Sequence, residues 1–115
     1  VDGVQVQQVI LNLIRNATDA VFAAGTPNPT VTLKTRLGEG DEVILEVEDN
    51  GPGIPEETAR RLFEPFFTTK DEGMGLGLPL SRSIVEAHGG HLRYQARPGG
   101  GSIFTIHLPA AVEST

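Results

Sequence analysis

At 115 residues, with a 38% hydrophobic fraction, the chain is long enough for one well-cored domain and too short for two. Its 15 acidic and 9 basic residues give a net charge of -6, which argues against a general nucleic-acid surface, because phosphate backbones are held by clustered Lys and Arg. The absence of cysteine excludes disulfides, thiolate metal centres and thiol nucleophiles, and no apolar run approaches the roughly 20 residues of a membrane span.

The chain opens on Val1-Asp2-Gly3-Val4-Gln5, without an initiator methionine or a basic leader, and is expected to be a fragment of a longer protein. From Val4 to about Ala24, apolar Val6, Val9, Ile10, Leu13, Ile14, Ala17, Ala20 and Val21 recur at helical spacing, which predicts an amphipathic helix. The opposite stripe of Gln5, Gln8, Asn12, Arg15, Asn16 and Asp19 keeps that spacing with several mediocre helix formers. Something other than propensity keeps them there. Gly25-Thr26-Pro27 ends the helix, and Thr30 to Leu37 alternates as a strand. A turn at Gly38-Glu39-Gly40-Asp41 leads into a second strand, Glu42 to Glu48, whose Val43, Leu45 and Val47 face one way. Asp49 shares their parity and should point toward the covered face, an expensive place for a carboxylate without partners.

Pro55-Glu56-Glu57 opens a short helix running to about Phe63. Glu64 to Gly75 has neither period and reads as a long binding loop or lid. A helix resumes near Leu78, with Pro79 in its first turn, and stops at Gly89-Gly90. His91 to Arg97 and Ser102 to Leu108 then form a hairpin whose core face carries Phe104, Ile106 and Leu108. The order predicts an α+β fold, an antiparallel sheet covered on one face by helices.

Four motifs carry chemistry. Asn12 and Asn16, one turn apart, present two amide oxygens to one point and suit magnesium shared with phosphates; a solvated polar helix face is the plain alternative. In Asp49-Asn50-Gly51-Pro52-Gly53 an acceptor-only carboxylate suits an exocyclic amine such as adenine's, with the glycines leaving room, although the string is also good turn chemistry. Gly73, Gly75 and Gly77 lead into a helix start, where free N–H groups and the dipole attract phosphate, or else form a hinge. Ser102, after Gly99-Gly100-Gly101, is either a hydrogen-bonding wall residue near Asp49 or simply the first residue after a turn. His88, His91 and His107 have no acid partner nearby in sequence and read as structural. As an ordered set, the motifs point to a nucleoside triphosphate carried with magnesium.

Together these residues resemble the catalytic and ATP-binding domain of sensor histidine kinases, within the GHKL superfamily shared with type II topoisomerase, Hsp90 and MutL ATPase domains. The stretch from Gln8 through Asn12, Asn16 and Ala20 looks like the N box, Asp49 to Ile54 the G1 box, Leu62 to Lys70 the F box and Gly73 to Leu78 the G2 box. The Phe-Glu-Pro-Phe-Phe string beginning at Phe63 and the Gly-Leu-Gly-Leu string beginning at Gly75 favour the histidine kinase branch. The resemblance implies a two-layer α/β sandwich of the Bergerat type, with a mixed, mainly antiparallel sheet and ATP between the N-box helix and a lid.

By the same resemblance, Asn16, helped by Asn12, would hold magnesium bridging the phosphates, and Asp49 would read the adenine amine. Gly75, Leu76 and Gly77 would contact phosphates through backbone N–H groups, and Phe63, Phe66 and Phe67 would anchor the lid. Asp19, Gly51, Gly53, Ile54, Gly73, Leu78 and Ser102 complete the implied nucleotide-binding set. Many members carry Lys-Tyr where this chain has Asp19-Ala20 and a basic lid residue near Thr68, so Arg15 and Lys70 are the cations available to substitute. The Asp-Ala ending and Phe-Phe-Thr-Thr-Lys look like the subgroup that includes oxygen- and nitrogen-sensing kinases.

Residues 1–115 are thus expected to form a catalytic and ATP-binding domain truncated at its N-terminus, cytoplasmic whether or not the full protein carries a membrane anchor. The fragment makes no membrane contact of its own in this reading. Its expected partners are ATP or ADP, the phosphoacceptor-histidine dimerisation domain of the same protein and, indirectly, a response regulator; no nucleic acid is expected. No phosphoacceptor sequence occurs, so autophosphorylation by the fragment is not expected. The alternatives are a nucleotide-responsive interaction module and a self-contained GHKL ATPase. The topoisomerase branch places a glutamate base where Asn12 stands.

Overall fold

The structure, a computed structural model, describes residues 3–64 and 74–109. Helix α1 spans Gly3–Ala23, followed by strands β1, Val31–Leu37, and β2, Glu42–Asp49; the short helix α2 is Glu56–Ala59. Helix α3, Met74–Ala87, leads into strands β3, His91–Ala96, and β4, Ser102–Pro109. The strands form one sheet in the order β1-β2-β4-β3. Every pairing among them is antiparallel, as the order of elements predicted, and the parallel pair of a mixed sheet does not occur among the described residues.

Both long helices pack on one face of this sheet. Val9, Leu13 and Ala17 of α1 meet Leu78 and Val85 of α3, Val47 of β2, Leu92 of β3 and Phe104 and Ile106 of β4 in a single core, with Leu62 after α2 closing its edge. Burial of such apolar surface is the main favourable contribution to folding. The alternation that predicted β2 holds, with Val47 buried and Leu45 against the core. Ile44 is buried as well, on the opposite face, beside Arg36 of β1 and His107 of β4. On β1 the helices extend only over Val31, and Leu33 and Leu37 of this edge strand stay 49% and 78% exposed.

The helix stops follow the glycines. At α1, Thr26 N–H bonds Val21 O at 3.0 Å and Gly25 N–H bonds Phe22 O at 3.1 Å, with Gly25 at φ +65. At α3, Gly90 N–H reaches Val85 O and Gly89 N–H reaches Glu86 O, each at 3.0 Å, with Gly89 at φ +82. Both are Schellman closures, which need a left-handed residue that glycine adopts without penalty.

Two boundaries differ from the sequence reading. Helix α2 stops at Ala59 and gives way to a turn through Phe63. Helix α3 begins at Met74, not near Leu78, so Gly75, Leu76 and Gly77 belong to its first turn and Pro79 lies inside it. Local propensity, poor for two glycines and a proline, is overridden there by the packing of α3 on α1 and β3. The expected lid, with Phe66, Phe67, Thr68, Lys70 and Gly73, lies outside the described residues.

Candidate nucleotide-binding site

The site is built from the end of β2 outward. Asp49, the last residue of β2, sits between Val31 of β1 and Ser102 of β4 and is 3% exposed, as its parity predicted. Its Oδ1 accepts the Gly51 N–H at 2.8 Å, and the carboxylate also accepts the Ser102 N–H. Burial raises the Asp49 carboxyl above its ordinary value, and these two N–H groups and the Arg97 charge offset that only in part. Ser102 is buried opposite Asp49 as the first residue of β4.

Glycines make the space. A Cβ on Gly51 would stand 3.0 Å from Asp49 Oδ1 and 3.3 Å from Val21 Cγ1. Gly101, at φ +117, lies so close to β2 that a Cβ there would overlap the Asp49 carbonyl. Asn50 does a different job from its neighbour. Its Oδ1 accepts the Thr30 N–H and its Nδ2 donates to Asn28 O, both at 2.9 Å, so it clamps the 28–30 loop to the end of β2.

Behind the cradle, on the face away from the helices, Arg97 Nε donates to Glu48 Oε2 at 2.6 Å and its Nη1 to Gly100 O at 2.9 Å. Lys34 Nζ stands 3.1 Å from Glu48 Oε1. The Arg97 hydrogen bond first, and then Lys34, hold the Glu48 carboxyl below its ordinary value. A carboxyl whose folded pKa is depressed contributes stability above its unfolded pKa, about 4.3, and loses it as pH falls through the lowered value. Glu48→Gln should therefore melt earlier than wild type at pH 7, and the gap should close toward pH 3. A gap independent of pH would show that the charge of Glu48 is not what matters.

The helical half of the site is α1 against α3. Asn12 Nδ2 donates to Ser81 Oγ at 3.0 Å, and a Cβ on Gly77 would stand 2.9 Å from Asn12 Nδ2 and 3.0 Å from its Oδ1. Asn16 Nδ2 is buried and has no hydrogen-bond partner. Nδ2 and Oδ1 are nearly isosteric, so turning that amide over would offer an oxygen to a cation at no cost to packing. Among the described residues no three His, Cys, Asp or Glu side chains gather where they could hold a metal. The Asn16 amide, with phosphate oxygens and water as further ligands, fits magnesium chemistry.

The remaining expected residues fall into groups. Arg15 and Asp19 are exposed on α1. Ile54 packs against the core and Gly53, at φ +78, faces the Gly101 carbonyl. The Leu78 side chain, 0% exposed, belongs to the core. Gly75 and Leu76 fall among the first residues of α3, whose N–H groups have no intrahelical acceptor, whereas at Gly77, the fourth residue of the helix, the bonding one turn back begins. Phe63 is half-buried, with the Arg82 guanidinium 5.4 Å from its ring centroid. Of the histidines, His88 Nδ1 meets Ile84 O at 2.8 Å and His91 is exposed, while His107 Nδ1 meets Glu42 Oε2 at 3.2 Å, an acid partner 65 positions away in sequence. The sequence reading missed Ser81, Glu48 and Arg97. The Ser81 and Arg97 contacts span 69 and 49 positions, and no local pattern signals them.

This cradle of strand-end carboxylate, flanking glycines and paired helix asparagines lies in a chain whose residues 1–112 match the family of histidine kinase-, DNA gyrase B- and HSP90-like ATPases. The chain belongs to that family, as the kind of domain carried by two-component sensor histidine kinases. It is 47% identical over 113 residues to the C4-dicarboxylate transport sensor protein DctS of Rhodobacter capsulatus, covering 97% of this chain and 17% of DctS. To the sensor protein FixL of Bradyrhizobium diazoefficiens it is 45% identical over 113 residues, covering 98% of this chain and 22% of FixL. It therefore spans less than two thirds of either relative. The catalytic domain of the histidine kinase ThkA superposes with a TM-score of 0.81 at 35% identity, over 96% of this chain and 69% of that one. Full-length ShkA in complex with AMPPNP gives 0.79 at 30%, over 96% and 22%. ThkA in complex with the response regulator protein TrrA gives 0.75 at 31%, over 96% and 30%. Among the described residues, no helix is long and apolar enough to cross a membrane.

Proposed function

We propose that residues 1–115 are the catalytic and ATP-binding domain of a longer histidine kinase, which binds Mg·ATP and donates the γ-phosphoryl group to a histidine on a separate dimerisation domain. The observation that carries this reading is Asp49: a carboxylate 3% exposed, fixed by two backbone N–H groups and bordered by glycines. Burial of this kind is costly unless a ligand or partner uses the group, and a fixed acceptor suits the adenine amine. The AMPPNP complex of ShkA and the ThkA–TrrA complex support nucleotide and response-regulator partners for the whole kinase by relationship.

In this reading Asp49 accepts from the adenine amine, with Gly51, Gly53, Ile54 and Ser102 shaping the base pocket. Asn16, helped by Asn12, would hold the magnesium, which when bound would neutralise phosphate charge. The N–H groups of Gly75, Leu76 and Gly77 orient the phosphates, with Gly73 and Leu78 at either end of that segment. Arg15 and Lys70 supply positive charge, with Asp19 beside Arg15 in the same stripe. The protein's part in the transfer is positioning and charge stabilisation at an in-line displacement, in which the γ-phosphoryl group passes to the imidazole nitrogen and ADP leaves. A domain that uses ATP in this way works in the cytoplasm.

Calorimetric titration of the chain with a non-hydrolysable ATP analogue, with and without magnesium, tests binding; magnesium-dependent binding is expected. Incubation with labelled ATP and a separately supplied dimerisation domain tests transfer. Label on the histidine supports the kinase, binding without transfer leaves a nucleotide-responsive module, and steady hydrolysis by the chain alone indicates a self-contained ATPase.

A further inference from the structure

We infer that Ser81 is a positioning residue, whose buried hydroxyl sets which end of the Asn12 carboxamide is turned toward the metal-bound phosphates. The inference rests on the proposed Mg·ATP reading. Ser81 is a polar residue at 3% exposure in a helix that otherwise contributes Leu78 and Val85 to the core. Its hydroxyl meets Asn12 Nδ2 at 3.0 Å, across the α1–α3 interface. One turn earlier, Gly77 forms the floor. A Cβ on Gly77 would come within 3.0 Å of both the nitrogen and the oxygen of the Asn12 amide, so the amide lies against the bare backbone of α3.

The two ends of a carboxamide are almost the same size and opposite in role, one a donor and one an acceptor. A hard cation or the water around it needs the acceptor. A helical serine commonly donates its proton to the carbonyl one turn back, which leaves its oxygen to receive an N–H. Ser81 then takes the Nδ2 end of Asn12 and leaves Oδ1 for the cation shell. Asn16 is the contrasting case. Its buried Nδ2 has no partner, so the protein leaves that amide for the ligand to orient. One asparagine is aligned before binding and the other upon it, and the first saves part of the ordering cost of association.

The test measures the magnesium-dependent gain in affinity, the ratio of the AMPPNP dissociation constants in EDTA and in magnesium, for wild type, Ser81→Ala and Ser81→Thr. The thermal midpoint and the affinity for adenosine are measured alongside. Ser81→Ala is expected to lose about tenfold of the gain. Its adenosine affinity should stay at the wild-type value, and Ser81→Thr, which keeps the hydroxyl, should retain the gain. Ser81→Cys, similar in volume and a weak acceptor, should lose it in the same direction and serves if alanine leaves a disruptive void. A wild-type gain preserved in folded Ser81→Ala or Ser81→Cys overturns the inference. So does a loss of adenosine and AMPPNP affinity in equal proportion, which would mark a packing role. A wild type with no gain at all overturns the Mg·ATP reading together with this one, so the two failures are distinguishable.

Discussion

Asp49→Asn is expected to lower affinity for adenine nucleotides by about 100-fold or more while leaving the domain folded. An asparagine here can keep its oxygen on the Gly51 N–H, which turns its NH₂ group toward the ligand, donor against donor. Calorimetry with ATP analogue and magnesium reads the loss directly. A pH series then separates this role from stability. The folded pKa of Asp49 is raised by burial, so the wild type is favoured below the unfolded value, about 3.9, and loses that favour as pH rises through the raised one. Asparagine does not titrate. The thermal midpoint of Asp49→Asn, relative to wild type, should therefore climb between pH 3 and neutrality. A relative midpoint that stays level or drops with rising pH would mean that burial is not what dominates the environment of this carboxyl.

Gly101→Ala carries the largest expected loss of stability. The residue combines φ +117, which side chains with a Cβ rarely adopt, with contact against the Asp49 carbonyl that leaves a methyl group no room. Gly100, at φ +115 and facing open space, is the internal control. Gly100→Ala should incur only the backbone term, about 1–3 kcal/mol, whereas Gly101→Ala should exceed it because β4 must also move away from β2. That displacement draws the Ser102 N–H from the Asp49 carboxylate, so Gly101→Ala should also weaken nucleotide binding further than Gly100→Ala. Chemical denaturation of both variants provides the comparison. Equal losses would show that the close approach of Gly101 constrains nothing.

Much of the fold was legible because its signals are periodic and local. The three- and four-residue steps of α1 and the alternation of β2 depend only on which side chains face the core, and that alternation also gave the direction of Asp49 before any partner was known. The start of α3 was not legible. Gly75 and Gly77 read as residues ahead of the helix, and the reason for a bare backbone at Gly77 is a side chain 65 positions away, that of Asn12. Ile44 escaped for a related reason: its face carries no helix, and it is covered by neighbours on β1 and β4. The roles of Ser81 and of the Arg97–Glu48 pair are likewise set by tertiary packing. Of the site, the residue types and their order could be read in advance; which amide is tied and which is left open could not.

The sheet order has a consequence for biosynthesis. Strand β2 has β1 on one side, close in sequence, and β4 on the other, more than 50 positions later, with Asp49 opposite Ser102. A nascent chain can pair β1 with β2 early, but the second wall of the cradle does not exist until residues beyond 101 have left the ribosome. Until then Asp49 stays hydrated and β2 offers an unsatisfied edge. Chains halted before β4 should therefore be vulnerable to proteases and chaperone-dependent, with the second wall of the cradle appearing in one step as β4 docks.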